Sequence, residues 1–123
     1  PVLDLPLCSL RLMNEAGLPR LILVPEASDA TQLHDLRKAD QAALWREMVM
    51  AGRALKAVTG CEKINTGALG NIVRQLHVHV VARNPGDPAW PGPVWGRGPR
   101  VPYKTADIEA LSKTIRSQFG AQK

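Results

Sequence analysis

The sequence predicts an α+β fold in which about five antiparallel strands form one sheet beside two main helices. Three observations support this class. Short aliphatic runs bounded by glycine or proline are typical of strands, and two longer stretches repeat apolar residues at helical spacing. The connections between neighbouring elements are short, which favours antiparallel pairing. The 123 residues fit a single domain spanning 1–123.

The first strands form a predicted β-hairpin. Residues 7–14 alternate in part and lead to a turn that contains Gly17 and Pro19. The aliphatic run 21–24 follows and ends at Pro25. Because this run is apolar at every position, we expect it to lie inside the sheet. Residues 62–65 predict a further strand.

A long helix is predicted over about 39–58. Its apolar stripe consists of Leu44, Met48, Ala51, Leu55 and Val58. Gly60 stands where a glycine commonly ends a helix, and charged residues such as Glu47 fall mostly off the stripe.

A second helix is predicted over about 105–119. Its apolar stripe consists of Ile108, Leu111, Ile115 and Phe119. Thr105 is the expected N-cap, and Gly120 is the expected end of the helix.

The segment 84–104 between the proposed core, about 7–83, and the last helix is rich in proline and glycine. Such a composition disfavours helices and central strands. Trp90 and Trp95 are costly to leave in water, so we expect an ordered loop that packs on the domain or on a partner subunit.

Charge and composition narrow the class of partner. The formal net charge of +5 favours anionic ligands, while a single Phe and a single Tyr leave no aromatic platform for successive bases. We therefore expect a small phosphate compound and no nucleic acid.

No apolar run approaches the ~20 residues of a membrane span, so no membrane partner is expected. Cys8 and Cys61 are interpreted as free thiols of a cytoplasmic protein.

A pair of histidines at strand spacing is the main functional signal. Over residues 75–80, every second residue is polar, and the residues between them are aliphatic. The polar residues are Gln75, His77 and His79, and the aliphatic ones are Leu76, Val78 and Val80. In a strand this pattern places both imidazoles on one face and aliphatic side chains on the other. The glycine-containing run 65–71 precedes it, and its backbone N–H groups can approach an anion closely. The combination points to chemistry on a phosphate.

The first functional hypothesis is nucleotidyl transfer. His77 would attack the α-phosphorus of a nucleotide and form a covalent phosphoramidate. His79 would orient the phosphate, and Gln75 can donate a hydrogen bond but cannot act as an acid. Backbone N–H groups of 67–71 would stabilise charge on the phosphate oxygens.

Two alternatives remain open. His77 and His79 could ligate one metal ion, but further ligands are scarce because His34 is distant in sequence and Gln75 is a poor ligand. We therefore predict no metal site and interpret His34 as an ordinary loop histidine. The other alternative is nucleotide binding without turnover.

These residues resemble the histidine triad (HIT) superfamily, whose motif alternates three histidines with apolar residues. The corresponding stretch here is 75–81, and the lead-in 65–73 is similar to the family's glycine-containing approach to the motif. The hairpin with Met13 and Asn14, and the position of the long helix, are also similar. The segment from Trp90 to Trp95 resembles that of bacterial dinucleoside polyphosphate hydrolase-like members.

The resemblance implies a HIT-like fold and a homodimer whose sheet extends across both subunits. It implies hydrolysis or transfer on dinucleoside polyphosphates or nucleoside phosphoramidates, through a nucleotidyl intermediate on His77 and without a required cofactor. The implied purine nucleotide contacts are Asn14 at the ribose and Asn65, Gly70, Asn71 and Val73 at the phosphate, beside the Gly67 backbone.

The sequence departs from the family pattern at three positions. Gln75 replaces the first histidine of the triad, and Ile72 stands where a hydroxyl residue often contacts phosphate. Arg20 occupies a position where many members carry histidine. These departures bear on the leaving group and on the rate.

Overall fold

A computed structural model describes residues 2–27, 29–95 and 101–122, and it confirms the predicted α+β class. The elements are β1 (Leu3–Asp4), β2 (Cys8–Leu12), β3 (Arg20–Pro25), a 3-10 turn (Leu33–Asp35), α1 (Lys38–Thr59), β4 (Lys63–Gly67), β5 (Val78–Arg83) and α2 (Thr105–Ala121). The strands form one antiparallel sheet in the order β1-β2-β3-β5-β4.

One face of the sheet forms the main core with the two helices. The side chains of Leu10, Leu21, Leu23 and Val80 are 0% exposed on this face. The predicted stripe of α1 packs there, with Leu44, Ala51 and Leu55 buried and Met48 and Val58 partly buried. Ile115 and Phe119 of α2 complete the same core. The helical periodicity therefore identified the correct faces of both helices.

The ends of the helices correct two predictions. Gly60 adopts φ 66° after α1, and its N–H donates to the Lys56 carbonyl, as predicted. Thr105 is not the N-cap of α2, because Lys104 holds that extended position and its carbonyl accepts the Ile108 N–H at 3.1 Å. Gly120 lies within α2 and does not end it.

The strand ends also differ from the prediction. The two-residue strand β1 was not predicted, since two residues carry no periodicity, and it pairs through Leu3 with Leu10 of β2. The histidine strand was predicted to begin at Gln75, but β5 begins at Val78. The Leu76 N–H donates to the Ala30 carbonyl at 3.0 Å, which draws the chain before β5 away from the sheet ladder.

Glu47 is buried, although the sequence placed it off the apolar stripe. Its side chain is only 4% exposed, and its carboxylate accepts the backbone N–H groups of Leu7 at 3.0 Å and Cys8 at 2.8 Å. Burial and the Glu47 carboxylate raise the pKa of the Cys8 thiol. Cys8 and Cys61 are free thiols, as predicted, and both are buried.

Arg83 fixes the described part of the proline-rich loop, residues 84–95. Its side chain is 1% exposed and forms a two-pronged ion pair with Asp87, at 2.7 Å from Nε and 3.1 Å from Nη2. The same guanidinium donates to the Gly92 carbonyl at 2.8 Å and lies 5.7 Å from the Trp90 ring centre. The loop is therefore ordered and packed, as predicted; residues 96–100 lie outside the described residues.

Asp87 is held in its ionised form. The hydrogen bond from Arg83 lowers the pKa of Asp87 to about 2, and the Ala89 and Asn84 N–H groups act in the same direction.

Within residues 2–27, 29–95 and 101–122, no helix has the length and apolar character to cross a bilayer.

We expect Glu47→Gln to lower the free energy of unfolding by about 1–3 kcal/mol, because the amide NH2 cannot accept the second buried N–H. Urea unfolding at pH 7 measures this loss. The exposed Glu109→Gln variant is the control and should stay within about 0.5 kcal/mol of wild type. An unchanged Glu47→Gln protein would show that the two contacts contribute nothing to stability.

We expect Asp87→Asn to cost about 3–5 kcal/mol, because it leaves the buried Arg83 guanidinium without its counter-charge. The folded pKa of Asp87 lies below the usual value of 3.8, so its stabilisation is present above about pH 4 and is lost as pH falls towards 2.

Unfolding of wild type and Asp87→Asn between pH 2 and 7 tests this expectation. The stability difference should shrink at the acidic end, whereas the exposed Asp29→Asn control should follow wild type throughout. A difference that stays constant down to pH 2 would contradict the role given to the carboxylate.

Candidate functional site

The His77 ring has one nitrogen fixed by the backbone. His77 lies just before β5, and its Nδ1 is 2.7 Å from the backbone carbonyl oxygen of Gln75. Because a carbonyl oxygen only accepts, Nδ1 carries the hydrogen and Nε2 of the neutral ring keeps its lone pair. This is the tautomer that a nucleophilic imidazole requires.

His79 lies beside His77, although only His79 is in the strand. The two ring centres are 5.1 Å apart with 68° between the planes, so the expected pairing of the imidazoles is present. His79 is 8% exposed and also contacts Trp95 edge-on, with ring centres 5.9 Å apart. Burial, and after it electrostatic interaction with Arg20 and His77, lowers the pKa of His79 to about 4. His79 is therefore a neutral imidazole at pH 7.

Gln75 does not share this arrangement. Its side-chain nitrogen donates a long hydrogen bond of 3.4 Å to the Ala27 carbonyl. The Gln75 carbonyl, rather than its amide side chain, is the part of this residue that contacts His77.

The glycine run contributes in two ways. Gly67 pairs with His79 across β4 and β5, and a Cβ atom at Gly67 would lie 2.7 Å from Cη2 of Trp95. The missing side chain thus admits the indole against the sheet. Gly70 has φ 69°, a conformation that favours glycine, and lies where the chain turns towards His77.

A cavity of about 170 Å³ lies next to His77. Its lining residues are Thr31, Gln32, Leu33, His34, Ala68, Leu69, Gly70, Leu76 and His77. His77 and three residues of the predicted glycine-containing run, Ala68, Leu69 and Gly70, are among them, whereas His79, Gln75, Asn14 and Asn65 are not. This volume is smaller than the roughly 300–1,000 Å³ of typical ligand pockets, so a whole nucleotide must extend beyond it.

Two predicted ligand contacts are engaged inside the protein. The side-chain oxygen of Asn14 accepts the Tyr103 backbone N–H at 2.8 Å. The side-chain oxygen of Asn65 accepts from Arg83 Nη1 at 2.8 Å. Both amides thus help to hold the segments that follow the core.

Asn71 and Val73, the remaining predicted ligand contacts, lie on a solvent-exposed segment. Asn71 is exposed, Val73 is 63% exposed, and Ile72 is 94% exposed. This segment links the glycine run to His77, so its backbone is available to a ligand that extends out of the cavity.

His34 lines the cavity beside His77, a position that sequence reasoning did not predict. The sequence suggested an ordinary loop histidine, but the 3-10 turn places His34 in the lining of the His77 cavity. No local pattern connects these two positions, because they line one cavity only when the turn lies beside the glycine run. Within the described ranges, no group of three or more His, Cys, Asp or Glu side chains is arranged to hold a metal ion.

A family model described as HIT domain matches residues 1–86. A histidine triad (HIT) protein from Sinorhizobium meliloti 1021 is 49% identical, with a TM-score of 0.94 over 96% of this chain and 87% of that chain. A histidine triad protein from Bradyrhizobium japonicum is 41% identical, with a TM-score of 0.93 over 96% and 88% of the two chains.

A more distant structure shares the fold alone. It is a hypothetical histidine triad nucleotide-binding protein from Sulfolobus tokodaii strain7, 17% identical, with a TM-score of 0.74 over 98% of this chain and 83% of that chain. No curated protein matches the sequence. The family model covers most of the chain, and the two bacterial structures align over nearly all of it, so this chain belongs to the histidine triad (HIT) family.

Proposed function

We propose that this protein binds a purine nucleotide and cleaves its phosphoanhydride or phosphoramidate bond through a covalent nucleotidyl-His77 intermediate. The observation that carries the proposal is the 2.7 Å contact between His77 Nδ1 and the Gln75 carbonyl, beside a cavity that Gly70 also lines. Membership of the HIT family supports the same chemistry.

The reaction proceeds in two displacements. Nε2 of His77 attacks the α-phosphorus, and the bond from phosphorus to the leaving oxygen or nitrogen breaks. The imidazole becomes positively charged, and the Gln75 carbonyl stabilises it through the Nδ1–H. Water then attacks the phosphorus, the N–P bond breaks, and a nucleoside monophosphate is released.

Neighbouring groups bind the phosphate during both displacements. Neutral His79 supports the His77 ring at 5.1 Å and is assigned to hydrogen bonding with the phosphate. Backbone N–H groups of the glycine run, including Gly70, are assigned to the phosphate oxygens. The Asn14 side-chain nitrogen takes no part in the Tyr103 contact, and we assign it to the ribose.

A second candidate function is nucleotide binding with little turnover. It is favoured by Gln75, whose side chain lies against Ala27, and by Ile72, which is 94% exposed and has no hydroxyl group. Neither residue can deliver a proton to a leaving group.

We also propose a homodimer in which the sheet continues across β4, in a protein that acts in the cytoplasm. β4 lies at the edge of the described sheet, and the exposed apolar residues Leu69, Ile72 and Val73 follow it. An edge strand beside apolar surface is suited to pairing with a second chain. The two reduced thiols, Cys8 and Cys61, are consistent with a reducing compartment.

Sedimentation equilibrium tests the dimer. We expect a mass about twice the 13.4 kDa of one chain, and Ile72→Asp together with Val73→Asp should shift the protein towards the monomer. A mass of one chain at micromolar concentrations would reject this assembly.

The activity is tested with diadenosine tetraphosphate and an adenosine phosphoramidate. We expect His77→Ala to lower turnover of both by at least about 10³-fold, because no other group replaces the nucleophile. AMP binding, measured by calorimetry, should persist. The control Lys56→Ala, on the exposed face of α1, should retain wild-type rates.

Two results decide between the candidate functions. Equal rates for wild type and His77→Ala would remove His77 from the mechanism. AMP binding by a wild-type protein that turns over neither compound would establish the binding-only alternative.

A further inference from the structure

We propose that His34 exchanges the proton of the leaving group in the reaction at His77. This inference rests on the proposed function, and it assigns a role that neither the histidine motif nor the glycine run supplies. The sequence contains three histidines, and the structure places His34 and His77 in the lining of one cavity.

The turn that carries His34 is held in place. Oδ2 of Asp35 accepts the backbone N–H groups of Thr31 and Gln32, each at 3.0 Å, and the Thr31 hydroxyl at 3.2 Å. These bonds fix the backbone on both sides of Leu33. The imidazole remains 83% exposed and is therefore free to meet a ligand, with Nε2 at 3.9 Å from Oδ1 of Asp35.

The reaction needs a proton donor that the motif residues do not provide. A leaving amine or a basic oxygen must be protonated as its bond to phosphorus breaks. The Gln75 amide cannot donate an acidic proton, and Ile72 has no hydroxyl group. His79 is buried and neutral at pH 7, since its pKa is lowered to about 4. His34 is the other imidazole at the cavity.

His34 and Leu33 line both this cavity and a groove of about 360 Å³ beside α1. The other lining residues of this groove are Gln41, Leu44, Trp45 and Met48. Trp45 is 67% exposed there and offers a flat apolar surface to a bulky leaving group. Because His34 lines both spaces, a leaving group that occupies this groove while the phosphorus is at His77 lies beside His34.

His34 gives up a proton in the first displacement and regains one in the second. As Nε2 of His77 bonds to phosphorus, the P–O or P–N bond to the leaving group breaks, and its electron pair takes a proton from protonated His34. Neutral His34 then accepts a proton from the water that attacks the phosphorus. The N–P bond breaks, and both imidazoles return to their starting states.

Two substrates that share AMP and differ in the leaving group test the role. One carries an alkylamine as a phosphoramidate, which must be protonated to leave. The other carries 4-nitrophenol, which leaves as a stable anion. We expect His34→Gln to lower kcat/KM, which reports the first displacement and not the shared hydrolysis of the intermediate, by about 10²–10³-fold for the amine substrate and by less than about tenfold for the nitrophenyl substrate.

Structural controls accompany this comparison. Because the His34 side chain is 83% exposed, His34→Gln and His34→Asn should melt and bind AMP like wild type. Arg37→Gln removes an exposed basic group near the turn that does not line the cavity, and it should retain wild-type kinetics on both substrates.

The outcomes separate this inference from the proposed function. Equal losses of kcat/KM on both substrates, or wild-type values on both, would reject His34 as the proton-exchanging group. An inactive His77→Ala variant would still support His77 as the nucleophile. Wild-type rates for His77→Ala, or no turnover of either substrate by the wild-type protein, would reject the proposed function and this inference with it.

Discussion

The site depends on the point at which the chain leaves the sheet before β5. Leu76 remains in the core at 3% exposure, but its N–H bonds to Ala30 and not to a neighbouring strand. This one bond brings residues 75–77 against the segment that leads into the 3-10 turn. As a result, the Gln75 carbonyl meets the His77 ring, and His34 enters the same cavity.

The other face of the sheet is closed by the proline-rich loop. Arg83 anchors that loop through Asp87 and Gly92, and Trp95 packs over Gly67 and against His79. The two imidazoles consequently have different surroundings, although they touch. His79 is desolvated and neutral, whereas His77 borders a cavity. His79 is therefore suited to positioning the His77 ring, and His77 is suited to reacting with a ligand.

The sequence predicted those features that depend on local periodicity. Alternation identified Leu76 and Val80 as core residues, and helical spacing identified the buried faces of α1 and α2. It also placed the two imidazoles side by side. Contacts between distant segments could not be predicted in this way: the start of β5 depends on Ala30, and the burial of Glu47 depends on the Leu7 and Cys8 N–H groups. The occupied side chain of Asn65 and the position of His34 arise from the same kind of long-range contact.

The most direct test of the central claim is detection of the covalent intermediate. Wild type is mixed with an adenosine phosphoramidate, quenched in alkali within the first turnover and digested for mass spectrometry. The account predicts an adenylyl group on the peptide containing His77, formed before the product accumulates and missing in His77→Ala. Full turnover with no adduct at any early time, or an adduct on another residue, would contradict it.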